Sequence, residues 1–311
     1  MDSQKMKILV TGANGQLGNE MQLQAQRDET YTWFFTDIAD GTGVLTGFPI
    51  SHLDITDAGR VDAFVQTHGI DLIVNCAAYT AVDRAESEPD KAQILNADAP
   101  AYLAAAIARR RGCLIQISTD YVFDGTGHVP YTEDAATCPN SVYGCTKLAG
   151  EQAVLAANPS AIIIRTAWLY SRFGNNFVKT MLRLGHEKKE LGVIFDQIGT
   201  PTYARDLAEA ILRFINAYAA GRTQSHTASS VKGGIYHFSN EGVTSWYDFT
   251  KAIHRLAGIS TCHVRPLHTA EYPTPAARPH YSVLDKTKIK QALQMEIPYW
   301  EDSLRECLAV I

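Results

Sequence analysis

Long apolar runs are missing. No stretch approaches the roughly 20 residues that a membrane-spanning helix needs, and the apolar run after Lys7 lasts only from Ile8 to Val10 before Thr11-Gly12. Neither a membrane span nor a secretory leader is expected. Paired C-x-x-C spacing is missing as well. Cys76, Cys113, Cys138, Cys145, Cys262 and Cys307 stand apart, and several lie in apolar, strand-like surroundings, as buried free thiols do. A reducing compartment, the cytoplasm, is expected. A strong excess of either charge is the third absence. The formal net charge is −5 over 311 residues, and the one dense basic cluster, Arg109-Arg110-Arg111, closes a helix-like segment, where cations favour the C-terminus. This leaves no electrostatic case for nucleic acid or an anionic membrane as partner. Internal repeats and low-complexity tracts are also lacking. What remains, 46% hydrophobic and 20% charged residues, is the composition of a folded chain with a sizeable core, in one large domain or two ordinary ones.

Residues 7–10 form a short buried strand, and T-G-A-N-G-Q-L-G follows at 11–18, with helical composition from 19 to 27. Gly12, Gly15 and Gly18 thus link a strand to a helix start, whose backbone N–H groups suit a pyrophosphate. Glycines also mark plain turns. The next strand, 31–36, ends in Asp37, roughly 20 residues after the glycines. An acid there binds a ribose 2′-hydroxyl and repels a 2′-phosphate, which leans toward NADH over NADPH. The alternative is a solvated aspartate in the polar run 36–40. His52 to Ile55 can border an adenine. A helix at 61–68 leads to a buried strand at 71–76, and Ala77, Ala78 and Tyr79 stand at its carboxyl end, where open α/β sheets bind ligands. Small residues there admit a cofactor, or simply pack.

Residues 90–111 form one long alanine-rich amphipathic helix, with Asn96 as a polar contact below the site. The strand 113–117 then runs into Ser118-Thr119-Asp120. This alternation predicts a doubly wound parallel sheet. Further on, a helix at 143–157, a strand at 161–165, helices at 177–185 and 204–219, a strand at 234–238 and helices at 246–257 and 300–310 are expected. The polar, glycine-flanked stretch 221–234 is expected to be a mobile surface loop, and 273–279 is a proline-rich loop.

Tyr143 and Lys147 stand four residues apart at the start of a helix, on one face. A lysine beside a phenol favours the phenolate and lowers a pKa of about 10. Three units of lowering correspond to roughly 4 kcal/mol of preferential phenolate stabilisation. Y-x-x-x-K arises by chance on many helices, as a half-buried tyrosine and a surface lysine. Here it follows the Thr119-Asp120 strand end and a nucleotide-type turn, which together make a keto-reduction site. Tyr143 donates the proton, Lys147 holds the nicotinamide ribose and tunes Tyr143, and Thr119 binds the carbonyl oxygen.

Several further motifs are more specific: N-C-A-A-Y-T-A-V-D at 75–83, A-E-S-E-P at 85–89, S-T-D-Y-V-F-D-G at 118–125 and V-Y-G-C-T-K-L-A-G-E at 142–151. R-T-A-W-L-Y at 165–170, G-N-N-F-V-K-T-M at 174–181, D-Q-I-G-T-P-T at 196–202 and P-T-P-A-A-R-P at 273–279 complete the set. With T-G-A-N-G-Q-L-G they resemble an extended short-chain dehydrogenase/reductase over nearly the whole chain, and within it the dTDP-4-dehydrorhamnose reductase family. The expected architecture is a Rossmann-type doubly wound sheet, from 1–170 plus about 200–240, with a smaller C-terminal α/β substrate-binding domain from about 171–199 plus 241–311.

The resemblance implies NAD(P)H-dependent reduction of the 4-keto group of dTDP-4-dehydro-6-deoxy-L-mannose to dTDP-L-rhamnose. It implies Tyr143 as acid with Lys147 as its partner, and Thr119 with Asp120 at the substrate. Gly12, Asn14, Gly15, Gln16, Leu17 and Gly18, then Asp54, Ile55, Ala77, Ala78 and Tyr79, would border the cofactor. Trp168 would lie against the sugar, since aromatic faces suit sugar rings, or merely end a strand. Arg278 would meet the diphosphate, or brace its loop. Some members dimerise through a magnesium ion held by glutamates. Glu20 fits the first such position but Arg205 stands at the second, so no magnesium bridge is expected, and the chain is a monomer or a homodimer. The rival readings are a reductase or epimerase of another nucleotide-linked keto-deoxysugar, and a non-catalytic regulatory subunit of the same fold.

Overall fold

The computed structural model describes residues 5–223 and 231–311. Its centre is an eight-stranded sheet. In spatial order the strands are Gly234–His237, Ile162–Thr166, Cys113–Thr119, Leu72–Asn75, Lys7–Thr11, Thr32–Asp37, Pro49–His52 and Gly41–Thr42. All neighbours are parallel except the last pair. The central strands are apolar on both faces, as a sheet covered on both sides requires. Ile8 and Val10, with Val74 and Ile115, pack under the helices Gln16–Gln26 and Ala204–Thr223. Leu9, Ile73, Leu114 and Ile163 face the opposite helices Ala58–His68, Ala99–Arg109 and Val142–Ala157. Each such aliphatic side chain contributes about 1.5–3 kcal/mol on full burial.

A second core lies beyond the sheet. The strand Glu190–Ile194 pairs in parallel with His263–Leu267. The helices Phe177–Glu187, Trp246–Leu256 and Trp300–Leu308 bury Val178, Met181, Phe249, Ile253 and Leu304 around Tyr170 and Tyr203. Two short pairings tie this layer to the sheet's carboxyl edge: Leu169–Tyr170 with Thr202–Tyr203, and Ile198–Gly199 with Thr244–Ser245.

Two differences from the sequence reading bear on the site. The first helix starts at Gln16, not at residue 19, because Gly18 lies on the helix and packs against the turn. The expected helix 90–111 is three pieces: Pro89–Gln93, a π-helical turn over Ile94–Asp98, and Ala99–Arg109. Of the mobile loop expected at 221–234, residues 221–223 instead continue the helix Ala204–Thr223 and Gly234 opens a strand, while 224–230 lie outside the described residues. No helix among the described residues is long and apolar enough to cross a membrane.

Candidate active site

At the carboxyl ends of the central strands, where the chain order reverses between Lys7–Thr11 and Leu72–Asn75, a cleft of about 820 Å³ opens. Open α/β sheets bind ligands at such a point. Gly12 takes a left-handed φ of +66°, and a Cβ on it would stand 2.6 Å from the Ala77 nitrogen. A Cβ on Gly18 would come within 2.2 Å of the Gly12 carbonyl oxygen. Only glycine fits either place, so turn and helix close on each other. The helix Gln16–Gln26 starts at Gly15 with no side-chain cap and no acid in its first turn, which leaves its positive end for an anion. Gly12, Asn14, Gly15, Gln16 and Leu17 line the cleft; Gly18 stands behind them.

Asp37 also lines the cleft, and its carboxylate accepts the backbone N–H of Asn14 at 2.9 Å and of Ile38 at 2.8 Å. It therefore holds the glycine turn to the second strand. Asp54 and Ile55 form the wall with Leu53. The Asp54 carboxyl accepts both the hydroxyl and the N–H of Thr56, which hold it below the usual carboxylate range. His52 turns away, its Nδ1 2.7 Å from the Ile38 carbonyl. Ala77 and Ala78 line the cleft. Tyr79 does not: Asn96 clasps its backbone N–H and C=O at 2.9 and 3.1 Å, and its hydroxyl donates to Glu88.

The candidate catalytic side chains sit where the strand Cys113–Thr119 meets the helix Val142–Ala157. Ser141 caps that helix, accepting the Gly144 N–H at 3.1 Å, and so sets Tyr143 in its first turn. Thr119, Asp120, Tyr143 and Lys147 all line the cleft. The Thr119 hydroxyl donates to Asp120 at 3.0 Å, and the Tyr143 ring stands edge-on to Tyr121 with centroids 5.4 Å apart. Lys147 is 4% exposed and donates to the Ile117 carbonyl at 2.6 Å.

The electrostatics correct one expectation. Lys147 does not lower the Tyr143 phenol. Burial pushes it up to about 12, against a hydrogen bond with Thr119 that pulls it down, and the Asp120 charge adds to the rise. Lys147 itself falls to about 8, because burial outweighs the pull of Glu151. Burial likewise raises Asp120 to about 6, and its Oδ2 has no hydrogen-bond partner among the described residues. A phenol protonated at neutral pH is the form a proton donor needs.

The RmlD substrate binding domain family model matches residues 6–311. A dTDP-4-dehydrorhamnose reductase from Streptomyces griseus is 42% identical over 300 residues, covering 96% of this chain and 91% of that one. The crystal structure of a dTDP-4-dehydrorhamnose reductase from Clostridium acetobutylicum is 42% identical, with a TM-score of 0.87 over 98% of this chain and 99% of that one. The chain belongs to the dTDP-4-dehydrorhamnose reductase family. Another solved member, from Bacillus anthracis in complex with NADP, is 37% identical, with a TM-score of 0.86 over 99% of this chain and 100% of the other.

Trp168, which the family resemblance puts against the sugar, lines the cleft; Arg278, which it puts at the diphosphate or as a brace of its loop, does not. Trp168 has a left-handed φ of 48°, a costly conformation for a bulky residue. Its ring stacks on Trp246 with centroids 3.5 Å apart and planes 9° apart. Gly199 also packs close to it, where a Cβ would stand 2.8 Å from the ring. Arg278 forks onto Asp83 at 2.8 and 2.9 Å, and Asp83 also accepts the Ala276 N–H. Glu20 is buried, accepts the Ser171 hydroxyl at 2.6 Å and is raised above the usual carboxylate range by burial. Arg205 pairs with Glu306 and with Asp206.

Trp246 and Asn176 reach the cleft without having been singled out from the sequence. Asn176 lies inside a family motif, and its Nδ2 donates to Gln16 at 2.9 Å, joining the second core to the glycine turn. Trp246 opens a helix after Ser245 and carries no local signal.

Proposed function

We propose that the protein reduces the 4-keto group of dTDP-4-dehydro-6-deoxy-L-mannose to the alcohol, forming dTDP-L-rhamnose at the expense of a reduced nicotinamide dinucleotide. The observation that carries this reading is the convergence of Tyr143, Lys147, Thr119 and Asp120 on one cleft that also contains the glycine turn. The groups around that turn fit a dinucleotide. The uncapped helix start at Gly15 would hold the diphosphate, Gly12, Ala77 and Ala78 present no bulk where the cofactor would lie, and Asp37 and Asp54 would face its ribose. A bound nicotinamide supplies the hydride. Thr119 donates to the developing oxyanion, and Tyr143 passes its proton to the same oxygen. Lys147, as an ammonium, offsets the charge left on the phenol. Trp168, braced by Trp246, offers its face to the sugar.

Asp37 supports NADH as the preferred reductant, since its carboxylate opposes a 2′-phosphate. All six cysteines are free, with Cys138 and Cys145 exposed, which supports the cytoplasm as the compartment. With Arg205 paired to Glu306 and Asp206, no magnesium bridge is expected, and chelation or addition of magnesium leaves the rate unchanged. The test is reduced-cofactor oxidation with dTDP-4-dehydro-L-rhamnose, with the product identified and initial rates compared for NADH and NADPH. No oxidation of either overturns the reading. A different product, or turnover of another keto-deoxysugar alone, assigns the site to a sibling reaction.

A further inference from the structure

On the buried face of the helix that carries Tyr143 and Lys147 stands a charged group to which the proposed reaction gives no part. Glu151 follows Lys147 by one helical turn and is 2% exposed. Its Oε1 accepts the Ser118 hydroxyl at 2.5 Å and Arg165 Nε at 2.9 Å, and its Oε2 accepts Arg165 Nη2 at 2.7 Å. Arg165 is equally buried and lies over the Phe123 ring at 5.1 Å. A buried ion pair contributes little net stability, because desolvation offsets the Coulomb gain, and apolar residues of similar size often serve as well. Its position gives it another use. Ser118 adjoins Thr119, Arg165 adjoins Thr166 on the next strand, and Glu151 shares a helix face with Lys147. The pair therefore joins both strand ends to the catalytic lysine.

We propose that Glu151 is a positioning residue that keeps the Lys147 ammonium charged and directed at the cleft, while Ser118 and Arg165 hold its carboxylate back from closing on the lysine. The inference rests on the reductase reading of the site. Lys147 donates to the Ile117 carbonyl, which also accepts Gln116 Nε2 at 2.9 Å. A carbonyl supports an ammonium without supplying a negative charge, so the counter-charge must come from elsewhere. The nearest elements offer Asp120 and Tyr121 in the turn after the strand, Asp83 and Arg84 on the short helix Val82–Ala85, and Tyr143 and Cys145 on the helix itself. Asp90, Lys91, Asp98, Tyr102 and Arg109 lie on the other packed helices, and Cys113 opens the strand. Among all of these, Glu151 alone acts on the titration of Lys147. Both carboxylate oxygens are engaged by Arg165 and Ser118, so the anion stays fixed one turn away and does not pull the lysine out of the cleft.

The experiment compares wild type, Glu151→Gln and the double variant Glu151→Gln/Arg165→Met, which removes both buried charges and keeps the fold free of a lone guanidinium. Lys147 is titrated by NMR in protein labelled at lysine Cε, its signal assigned by its loss in Lys147→Arg, and kcat is followed over pH 6–9. In both variants the lysine midpoint should fall by at least one pH unit, and the alkaline loss of kcat should move down with it, so that activity recovers toward pH 6. An unchanged midpoint in the folded double variant overturns the inference, as does a uniform loss of kcat at every pH. Wild type without reductase activity is a different outcome. It removes the reaction assigned above, while the titration still decides whether Glu151 sets the charge of Lys147.

Discussion

At the scale of single residues, the site separates two titrating groups by their surroundings. Tyr143 is held protonated by burial, at about 12, and Lys147 is brought down to about 8. The roles proposed for them need a neutral phenol and a charged ammonium, so the rate should be flat through neutrality and fall as the pH rises through about 8, when Lys147 loses its proton. The phenol is still protonated there, so the alkaline limb belongs to the lysine. Tyr143→Phe would remove the proposed proton donor and keep the ring; kcat should drop by ~10²–10⁴-fold with the cofactor KM little changed, in steady-state assays at pH 7. Full activity of that variant would remove Tyr143 from its assigned role.

At the scale of elements, the glycine turn and the stacked tryptophans make opposite demands on the chain. Glycine to alanine in a helix ordinarily gains up to ~1 kcal/mol. At Gly18 the added Cβ meets the Gly12 carbonyl oxygen at 2.2 Å, so Gly18→Ala should instead cost roughly 1–3 kcal/mol, as overpacking does, and weaken cofactor binding. Urea unfolding and a cofactor titration measure the two effects. Trp246→Ala removes the ring that holds Trp168 at positive φ. An aromatic pair contributes about 0.5–1.5 kcal/mol, so the sugar-nucleotide KM should rise by up to about tenfold while the cofactor KM stays put. These elements also mark where local sequence signals end. Apolar strands, the glycine turn and the Tyr143 helix are local patterns, and each was legible. The π-turn at Ile94–Asp98 was not, because it answers to distant partners. There Asn96 is re-aimed to clasp the Tyr79 backbone, and its carbonyl lies where a Cβ on Gly150 would be 2.0 Å away. Trp246 meets Trp168 across 78 residues, a contact that no periodicity announces. The raised phenol of Tyr143 was missed for a related reason. The i,i+4 spacing shows the lysine but not how deeply the fold desolvates the ring.

At the scale of the whole molecule, acid stability depends on His237, which is fully buried on the strand Gly234–His237 at the sheet edge. Its Nδ1 lies 3.1 Å from the Tyr131 carbonyl, and Nε2 finds no partner among the described residues. Burial, with the nearby Arg165 charge, lowers it from 6.5 to about 3. The unfolded chain therefore takes up a proton below pH 6.5 that the folded chain refuses. Its contribution to stability is full above 6.5, falls by about 1.4 kcal/mol per pH unit, and is gone once the pH passes below about 3. Asp120, raised to about 6, and the raised carboxyls Glu20 and Glu133 act with the opposite sign. Their stabilisation is present at low pH and lost as the pH rises through their folded values. Total stability thus hides the histidine, but a difference between variants does not. With His237→Gln, urea unfolding at a series of pH values should give a wild-type-minus-variant difference that is constant above pH 6.5 and declines steadily from there to pH 4. A difference that stays level across that range would mean that His237 protonates in place, and that the sheet edge opens to water in acid.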